Sequence, residues 1–305
     1  MNNNFSFRGS PFINRYRITG ALTTKSPLHI GNGMPRPADG AEKKLCGSEE
    51  MEQISDVVRD FDDKPYLPGS SLKGAMRMYL LHIFQGFSAN IATNNDWHDE
   101  NWIGEDSDQA AKNKKLQGEG SMLEKLFGTA IHAGKIDFWD APLAGKAADN
   151  ADFNGKKGWS DKRQTYFTQS VAIDPMTGAA EAHKLYSFDL VPEGARFSFN
   201  ITGQNLSDEE LGLLYFGLHA FNSEIYPVTL GAMGGRGFGR FKMELADIYC
   251  LKNEPDELKN WAKIALEQKH AGFQCIPRLP KNSERKMIEK FKEAFNHALS
   301  QNTEA

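Results

Sequence analysis

Two stretches, each predicted to form a strand, a helix and a second strand, constrain the fold of this 305-residue chain most. In the first, residues 15–23 alternate with period two, and apolar residues from Ser71 to Phe84 recur at helical spacing. In the second, a helix predicted from Ser207 to Ser223 places Ser207 three residues before Glu210, the spacing of a capping box. The predicted strands are residues 15–23, 135–139, 186–190, 195–203 and 240–249.

This order predicts an α+β fold, a ferredoxin-like (RRM-like) palm built on an antiparallel sheet. Insertions are predicted at residues 90–122 and 144–185. The second insertion carries Asp-Pro-Met-Thr-Gly between two extended arms, which predicts a β-hairpin. Apolar residues at helical intervals near the end predict two helices. We therefore expect a palm domain at residues 1–250 and a C-terminal helical extension at 251–305.

Two glycine-rich segments, Leu67–Arg77 and Gly231–Arg240, combine small residues with Lys or Arg. Small residues let backbone N–H groups approach a ligand, and the cations neutralise phosphate oxygens. Together the segments predict a reader of a phosphate backbone that is split across the chain. Neither has the spacing of a P-loop or the context of a dinucleotide fingerprint. Ser70 and Ser71 predict the cap of the first helix.

Charge and composition narrow the class of protein. A net charge of −4 counts against a general nucleic-acid coat, but acidic residues concentrate at 96–108, away from the cationic segments, which suits a narrow RNA path. Three widely separated cysteines give no sign of a disulfide framework or zinc ribbon. Neither a signal-peptide pattern nor a membrane-spanning apolar run is present, so we expect a cytoplasmic protein that does not enter membranes.

Landmarks in a fixed order extend this interpretation. They are Leu28-His29-Ile30-Gly31, the Pro68–Arg77 segment, Leu126-Phe127-Gly128 with residues 133–141, Ile173–Ala180 and the Gly231–Arg240 loop. By these landmarks the chain resembles the repeat-associated mysterious protein (RAMP) superfamily, and most closely the backbone subunits of type III CRISPR effector complexes of the Csm and Cmr kinds. The resemblance covers roughly residues 15 to 250.

The resemblance implies a subunit that binds crRNA and target RNA beside other copies or RAMP paralogues. No RNP-type aromatic signature is present in the predicted strands, so it implies an RNA path over loops and a helix N-terminus. In that family the hairpin forms a thumb that wedges into the guide–target duplex, and Met176 is the wedge candidate here. The residues assigned to RNA are His29, Gly69, Ser70, Ser71, Lys73, Arg77, Met176, Gly234, Gly235, Arg236, Gly237 and Arg240. His29 alternatively packs against the glycine turn.

Catalysis is implied by the resemblance alone. Members that cut target RNA use an Asp in the loop after the first strand, which helps a ribose 2′-hydroxyl attack the adjacent phosphate with Mg²⁺ or Mn²⁺ nearby. Asp56 is the first candidate and the candidate metal ligand, and Asp39 is the second. The implied activity is a metal-dependent endoribonuclease. An architectural subunit without cleavage, a precursor-crRNA processing enzyme and an unrelated nucleotide-binding enzyme remain as alternatives.

Overall fold

The computed structural model describes residues 7–40, 42–43, 53–93, 116–148, 158–173, 176, 180–267 and 276–300. Its strands are β1 (Asn14–Thr24), β2 (Gly31–Pro37), β3 (Gln53–Val57), β4 (Tyr66–Leu67), β5 (Ile136–Phe138), β6 (Ala141–Pro142), β7 (Trp159–Ser160), β8 (Thr165–Ile173), β9 (Ala180–Leu190), β10 (Arg196–Gln204) and β11 (Phe241–Lys252). Its helices are α1 (Gly69–Phe84), α2 (Met122–Phe127), α3 (Asp208–His219), α4 (Pro255–Glu267) and α5 (Lys281–Ser300). No helix among these is long and apolar enough to span a membrane.

The palm is a four-stranded antiparallel sheet with the strand order β11-β1-β10-β5. Along the chain its elements come in the order β1, α1, β5, β10, α3, β11, so the predicted ferredoxin-like fold is confirmed. Tyr16, Ile18 and Leu22 of β1 are buried, whereas Arg15 and Arg17 alternate with them on the other face. Helices α1 and α3 supply side chains to the same apolar core. The sheet therefore has one covered face and one open face.

The two predicted C-terminal helices are present, and the second of them packs on the palm. Gly212 of α3 permits this contact, because a Cβ there would lie 2.4 Å from the backbone oxygen of Phe291. Phe291 and Phe295 of α5 are buried in the core that the palm helices share. Helix α4 is amphipathic and has no fully buried residue. The last helix is therefore part of the palm core, while α4 lies at its surface.

The two palm helices begin in different ways. For α3 the predicted capping box is confirmed, because Ser207 Oγ accepts from the Glu210 amide at 3.2 Å and Glu210 Oε2 accepts from the Ser207 amide at 2.9 Å. For α1 the predicted serine cap is wrong, since the helix begins at Gly69 after Pro68 and has no side-chain cap. Instead Asp140 Oδ1 accepts from the Gly69 amide at 2.8 Å. The carboxylate of Asp140, which is distant in sequence, thus accepts the hydrogen bond that a local N-cap side chain usually accepts.

A second sheet has the strand order β2-β3-β9-β8-β7. Strands β8 and β9 form the predicted hairpin, with Tyr166 opposite Leu190. Met176 at its turn is 94% exposed, and the neighbouring turn residues 174, 175 and 177–179 lie outside the described residues, as does most of the predicted insertion at 90–122. Strand β3 pairs in parallel with β9, with Ile54 opposite Ser187. The hairpin therefore shares a sheet with the strand that carries Asp56.

Gly20 tests the packing of the palm sheet. It lies where the register of β1 with β11 shifts, and a Cβ there would lie 2.4 Å from both the Glu244 oxygen and the Phe199 ring. We expect Gly20→Ala to lower the free energy of unfolding by about 1–3 kcal/mol, because the sheet must shift to make room. The control Gly74→Ala, where a Cβ meets open space in α1, should raise it by roughly 0.5–1 kcal/mol. Urea titrations measure both, and equal stability of the two variants would contradict this packing.

Candidate nucleic-acid interface

An open groove of about 500 Å³ lies between β2, β3 and β9. Asp56 of β3, Tyr186 of β9 and the imidazole of His29 line it, opposite the exposed backbone of β2. Gly31 keeps the space beside the imidazole free, since a Cβ there would lie 3.2 Å from His29 Nε2. Gly33 has a φ of +80°, a conformation that L side chains rarely adopt. The glycines of β2 thus leave backbone and side-chain groups of the groove accessible to a ligand.

A buried carboxylate, Asp189 of β9, holds the strands around this groove together. Its side chain is 3% exposed and accepts from Arg36 of β2 at both oxygens, at 3.1 Å each. Arg59 Nη2, after β3, donates to Asp189 Oδ2 at 3.3 Å. Burial is the largest effect on Asp189 and raises its pKa, although hydrogen bonds from Arg36 favour the charged form. Because an unpaired buried charge costs several kcal/mol, the two arginines and Asp189 depend on one another.

Arg59 uses its other donors to fix Asp56 and the neighbouring loops. Nε donates to Asp56 Oδ1 at 3.0 Å. Nη1 donates to the backbone oxygens of Asp63 and Arg163 at 3.0 and 2.8 Å, and Nη2 to Thr165 Oγ1 at 3.0 Å. The Asp56 side chain is 13% exposed, and no residue in the described ranges donates a hydrogen bond to its Oδ2. One oxygen of Asp56 is therefore anchored, and the other has no hydrogen-bond donor among the described residues.

Asp39, the second catalytic candidate, is connected to this network but does not line the groove. Its Oδ1 accepts from the Glu42 amide at 2.8 Å, and its own amide donates to Glu42 Oε2 at 2.8 Å. Glu42 in turn binds both terminal nitrogens of Arg36, at 2.8 and 2.6 Å. Burial opposes the charged form of Glu42, but the hydrogen bonds from Arg36 hold its pKa below the usual value. The structure therefore separates the two candidates, with only Asp56 in the groove wall.

His29 is 6% exposed and its ring has a defined orientation. Nδ1 lies 2.7 Å from the backbone oxygen of Asp189, and because a carbonyl oxygen only accepts, Nδ1 carries a proton and donates it to this hydrogen bond. The ring packs edge-on against Phe188, with centroids 5.8 Å apart. The backbone oxygen of His29 accepts from the Ala232 amide at 2.8 Å. His29 thus packs against the glycine turn and also presents Nε2 at the groove.

The glycine-rich loop Gly231–Arg240 closes over the segment that carries His29. Gly231 has a φ of +81°, and a Cβ there would lie 2.3 Å from the backbone oxygen of His29, so this contact requires glycine. Residues Gly234–Arg236 form a 3₁₀ turn, from which Arg236 Nη1 donates to Tyr186 Oη at 3.0 Å. That hydrogen bond places Arg236 at the border of the groove, because Tyr186 lines it.

The backbone of this loop is open around Arg236. A Cβ at Gly235 or at Gly237 would meet no atom within 4 Å, and the φ of +83° at Gly237 favours glycine. A Cβ at Gly234 would lie 3.5 Å from Thr229 Oγ1, an ordinary van der Waals contact. Arg240 is half-buried, and its amide donates to Ser26 Oγ at 3.0 Å. The loop therefore offers an exposed glycine backbone beside one guanidinium, an arrangement suited to a phosphate group.

The first glycine-rich segment serves partly to pack the palm. Gly69 is buried, and a Cβ there would lie 2.2 Å from the backbone oxygen of Phe138, so it allows α1 to approach β5. Ser70 is exposed and Ser71 half-buried in the first turn of α1. The exposed residues of this segment are therefore in the helix itself, where Ser70 and Gly74 are exposed and Ser71, Lys73 and Arg77 are half-buried.

Lys73 and Arg77 of α1 lie in a cationic cluster with Arg8. Arg8 pairs with both oxygens of Asp137 at 2.6 Å each. Burial lowers the pKa of Lys73, and the positive charges of Arg8 and Arg77 lower it further, whereas the negative charge of Asp137 acts to raise it. No hydrogen bond or ion pair in the described part of the chain joins this cluster to the Gly231–Arg240 loop. The two glycine-rich segments are thus not bonded directly to each other in the described part of the chain.

Sequence reasoning missed Asp189, Arg36 and Arg59. A signal for Asp189 was present, because a lone carboxylate between Phe188 and Leu190 in a predicted strand needs a cation if that strand is buried. Nothing local indicates which arginines supply the charge, since Arg36 and Asp189 are far apart in the sequence.

A divalent ion at Asp56 would need ligands from outside the protein. Across the described ranges, no group of three or more His, Cys, Asp or Glu residues is placed to hold a metal. Asp56 contributes one available carboxylate oxygen. Mg²⁺ is commonly bound by one or two carboxylates together with substrate phosphates and water. These residues therefore fit an ion shared with an RNA phosphate rather than a complete protein site.

Most of the chain matches a known protein family. A family model described as the RAMP superfamily matches residues 21–242. The matched range runs from the end of β1 to the start of β11 and includes both glycine-rich segments and all residues of the groove. No curated protein matches the chain.

Asp189→Asn tests whether this carboxylate holds the groove together. The change keeps the shape and removes the charge, which leaves Arg36 and Arg59 without their shared buried partner. We expect the free energy of unfolding to fall by about 1–3 kcal/mol, because buried donors lose a partner although Arg36 keeps Glu42 and Arg59 keeps Asp56. Asp62→Asn, in an exposed turn, is the matched control and should change it by less than about 0.5 kcal/mol. Urea unfolding of the two variants gives the comparison, and a similar small effect of both would show that the network does not stabilise the fold.

Proposed function

Because the chain belongs to the RAMP superfamily, whose members bind crRNA and act in multi-subunit complexes, we propose that it is a backbone subunit of a type III CRISPR ribonucleoprotein of the Csm or Cmr kind. In this role it is a cytoplasmic protein that holds crRNA, pairs it with target RNA, and contacts other copies or RAMP paralogues. We further propose that it cuts target RNA once per copy in the particle, as a metal-dependent endoribonuclease.

The position of Asp56 is the observation that supports cleavage best. It lies in the wall of an open groove, with Oδ1 held by Arg59 and Oδ2 without a hydrogen bond from any described residue. A general base must present a free lone pair in a defined direction, and this arrangement provides one. Arg236 at the groove border and the open backbone of Gly235 and Gly237 would hold a neighbouring phosphate.

In the proposed reaction, Asp56 Oδ2 accepts the proton of a target 2′-hydroxyl. The 2′-oxygen attacks the adjacent phosphorus, the bond to the 5′-oxygen breaks, and that oxygen takes a proton from water. The products are a 2′,3′-cyclic phosphate and a 5′-hydroxyl. Mg²⁺ or Mn²⁺, held chiefly by phosphate oxygens near Asp56, would neutralise charge on the phosphate. Arg59 keeps the Asp56 carboxylate oriented throughout, and Met176 at the exposed hairpin turn would separate bases of the duplex.

Asp56→Asn tests the assignment, with Asp39→Asn as the matched control. Cleavage of guide-complementary RNA by the assembled particle is measured with Mg²⁺ or Mn²⁺ at equal amounts of bound RNA. We expect Asp56→Asn to slow cleavage by about 100-fold or more, because the proton acceptor is lost, and Asp39→Asn to leave it unchanged.

Slow cleavage by Asp39→Asn together with unchanged cleavage by Asp56→Asn would assign the catalytic role to Asp39. Equal cleavage by the wild type and both variants would place the activity in another residue or subunit. If the wild-type particle binds its target but does not cut it, the subunit is architectural.

A further inference from the structure

The open face of the palm sheet carries a row of residues that the groove does not use. Tyr249 of β11, Arg17 of β1, Thr202 of β10 and Asp137 of β5 are directly opposite one another in register. Trp139, just after β5, lies over this row, because its Nε1 donates to Thr202 Oγ1 at 3.3 Å. We call Tyr249, Arg17, Thr202 and Trp139 the sheet strip.

The aromatic and cationic groups of the sheet strip are held in place and remain accessible. Trp139 is 56% exposed, and its hydrogen bond to Thr202 fixes the indole. The guanidinium of Arg17 lies 5.4 Å from the centroid of the Tyr249 ring, and its Nε donates to Asn200 Oδ1 at 3.1 Å. Within the described residues, the Arg17 side chain makes no other hydrogen bond. The strip therefore combines an exposed indole with unused guanidinium donors.

The open face has a surplus of positive charge. Its carboxylates are already paired, Asp137 with Arg8 and Asp247 with both Arg278 and Lys281. By contrast, Arg15 and Arg17 form no ion pair with any carboxylate of the described chain. Two guanidinium groups that have no carboxylate partner among the described residues, on one face of a protein with net charge −4, mark a local site for an anion.

We infer that the sheet strip binds single-stranded RNA, with a base stacked on Trp139 and phosphates beside Arg15 and Arg17. Three strand spacings separate β5 from β11, roughly 14 Å, which is enough for a short single-stranded segment. Stacking of bases on aromatic rings beside cations is the usual way in which proteins hold single strands. This site lies on the palm sheet and is separate from the groove of Asp56.

The alternative occupant of this face is an acidic protein surface. Single-stranded RNA fits better because the exposed ring is a fixed indole and the unpaired cations are planar guanidinium groups, both of which stack on bases. Tyr249 comes from the edge strand β11 and Trp139 follows the edge strand β5, so the central strands show no RNP-type pattern.

The test compares the full chain carrying Trp139→Ala, Trp139→Phe or Arg17→Gln with the wild type. Binding of a short mixed-sequence single-stranded RNA, with no complementary strand, is followed by fluorescence anisotropy over a range of salt. We expect Trp139→Ala to weaken binding about tenfold and Trp139→Phe to retain it, since a phenyl ring still stacks. Arg17→Gln should lower the slope of log affinity against log salt by about one. Circular dichroism melting checks that each variant is folded.

Arg236→Gln separates this inference from the proposed function. If the sheet strip binds RNA, its variants and Arg236→Gln weaken binding independently, and ultraviolet crosslinking yields RNA attached to peptides with Trp139 or Tyr249. If only Arg236→Gln weakens binding and no such crosslink forms, the inference is overturned while the groove is supported. If the strip variants bind RNA normally but no longer assemble into particles, the face contacts protein and the inference is also overturned.

Discussion

The buried charge of Asp189 is the constraint on which the proposed site depends. It joins β9 to β2 through Arg36 and to the end of β3 through Arg59, and its backbone oxygen fixes the ring of His29. The carboxylate and both guanidinium groups are largely buried. Loss of any one of them would leave a buried charge without a partner and destabilise the fold. The arrangement of the strands around the groove thus depends on the ion pairs that Asp189 forms with Arg36 and Arg59.

Asp56 gains its proposed role from the same network. Arg59, which neutralises Asp189, also holds one oxygen of Asp56, while the other accepts no hydrogen bond from the described residues. Glycines at Gly31 and Gly231 then let the strand and the loop approach His29 without filling the space. The protein core of this site is therefore rigid at its base and open at its surface, as a site for a charged polymer requires.

Local sequence signals predicted the palm well and the site only in part. The alternation in β1 and the capping box of α3 are decided by neighbouring residues, so both were predictable. The start of α1 was predicted wrongly because Asp140, which is distant in sequence, satisfies its first amide. The different partners of Lys73 and Arg236 likewise depend on how the sheets are assembled, and no spacing in the sequence contains that information.

The most direct test of this account is a cryo-electron microscopy structure of the assembled particle with a target RNA that lacks the 2′-hydroxyl at the cleavage positions. If Asp56 is the proton acceptor, the uncut phosphate lies in the groove between β2, β3 and β9, with the adjacent 2′-carbon facing Asp56 Oδ2 and Arg236 beside a neighbouring phosphate. A target strand that runs outside the groove, with Asp56 beyond the reach of a hydrogen bond or one bridging water, would contradict it.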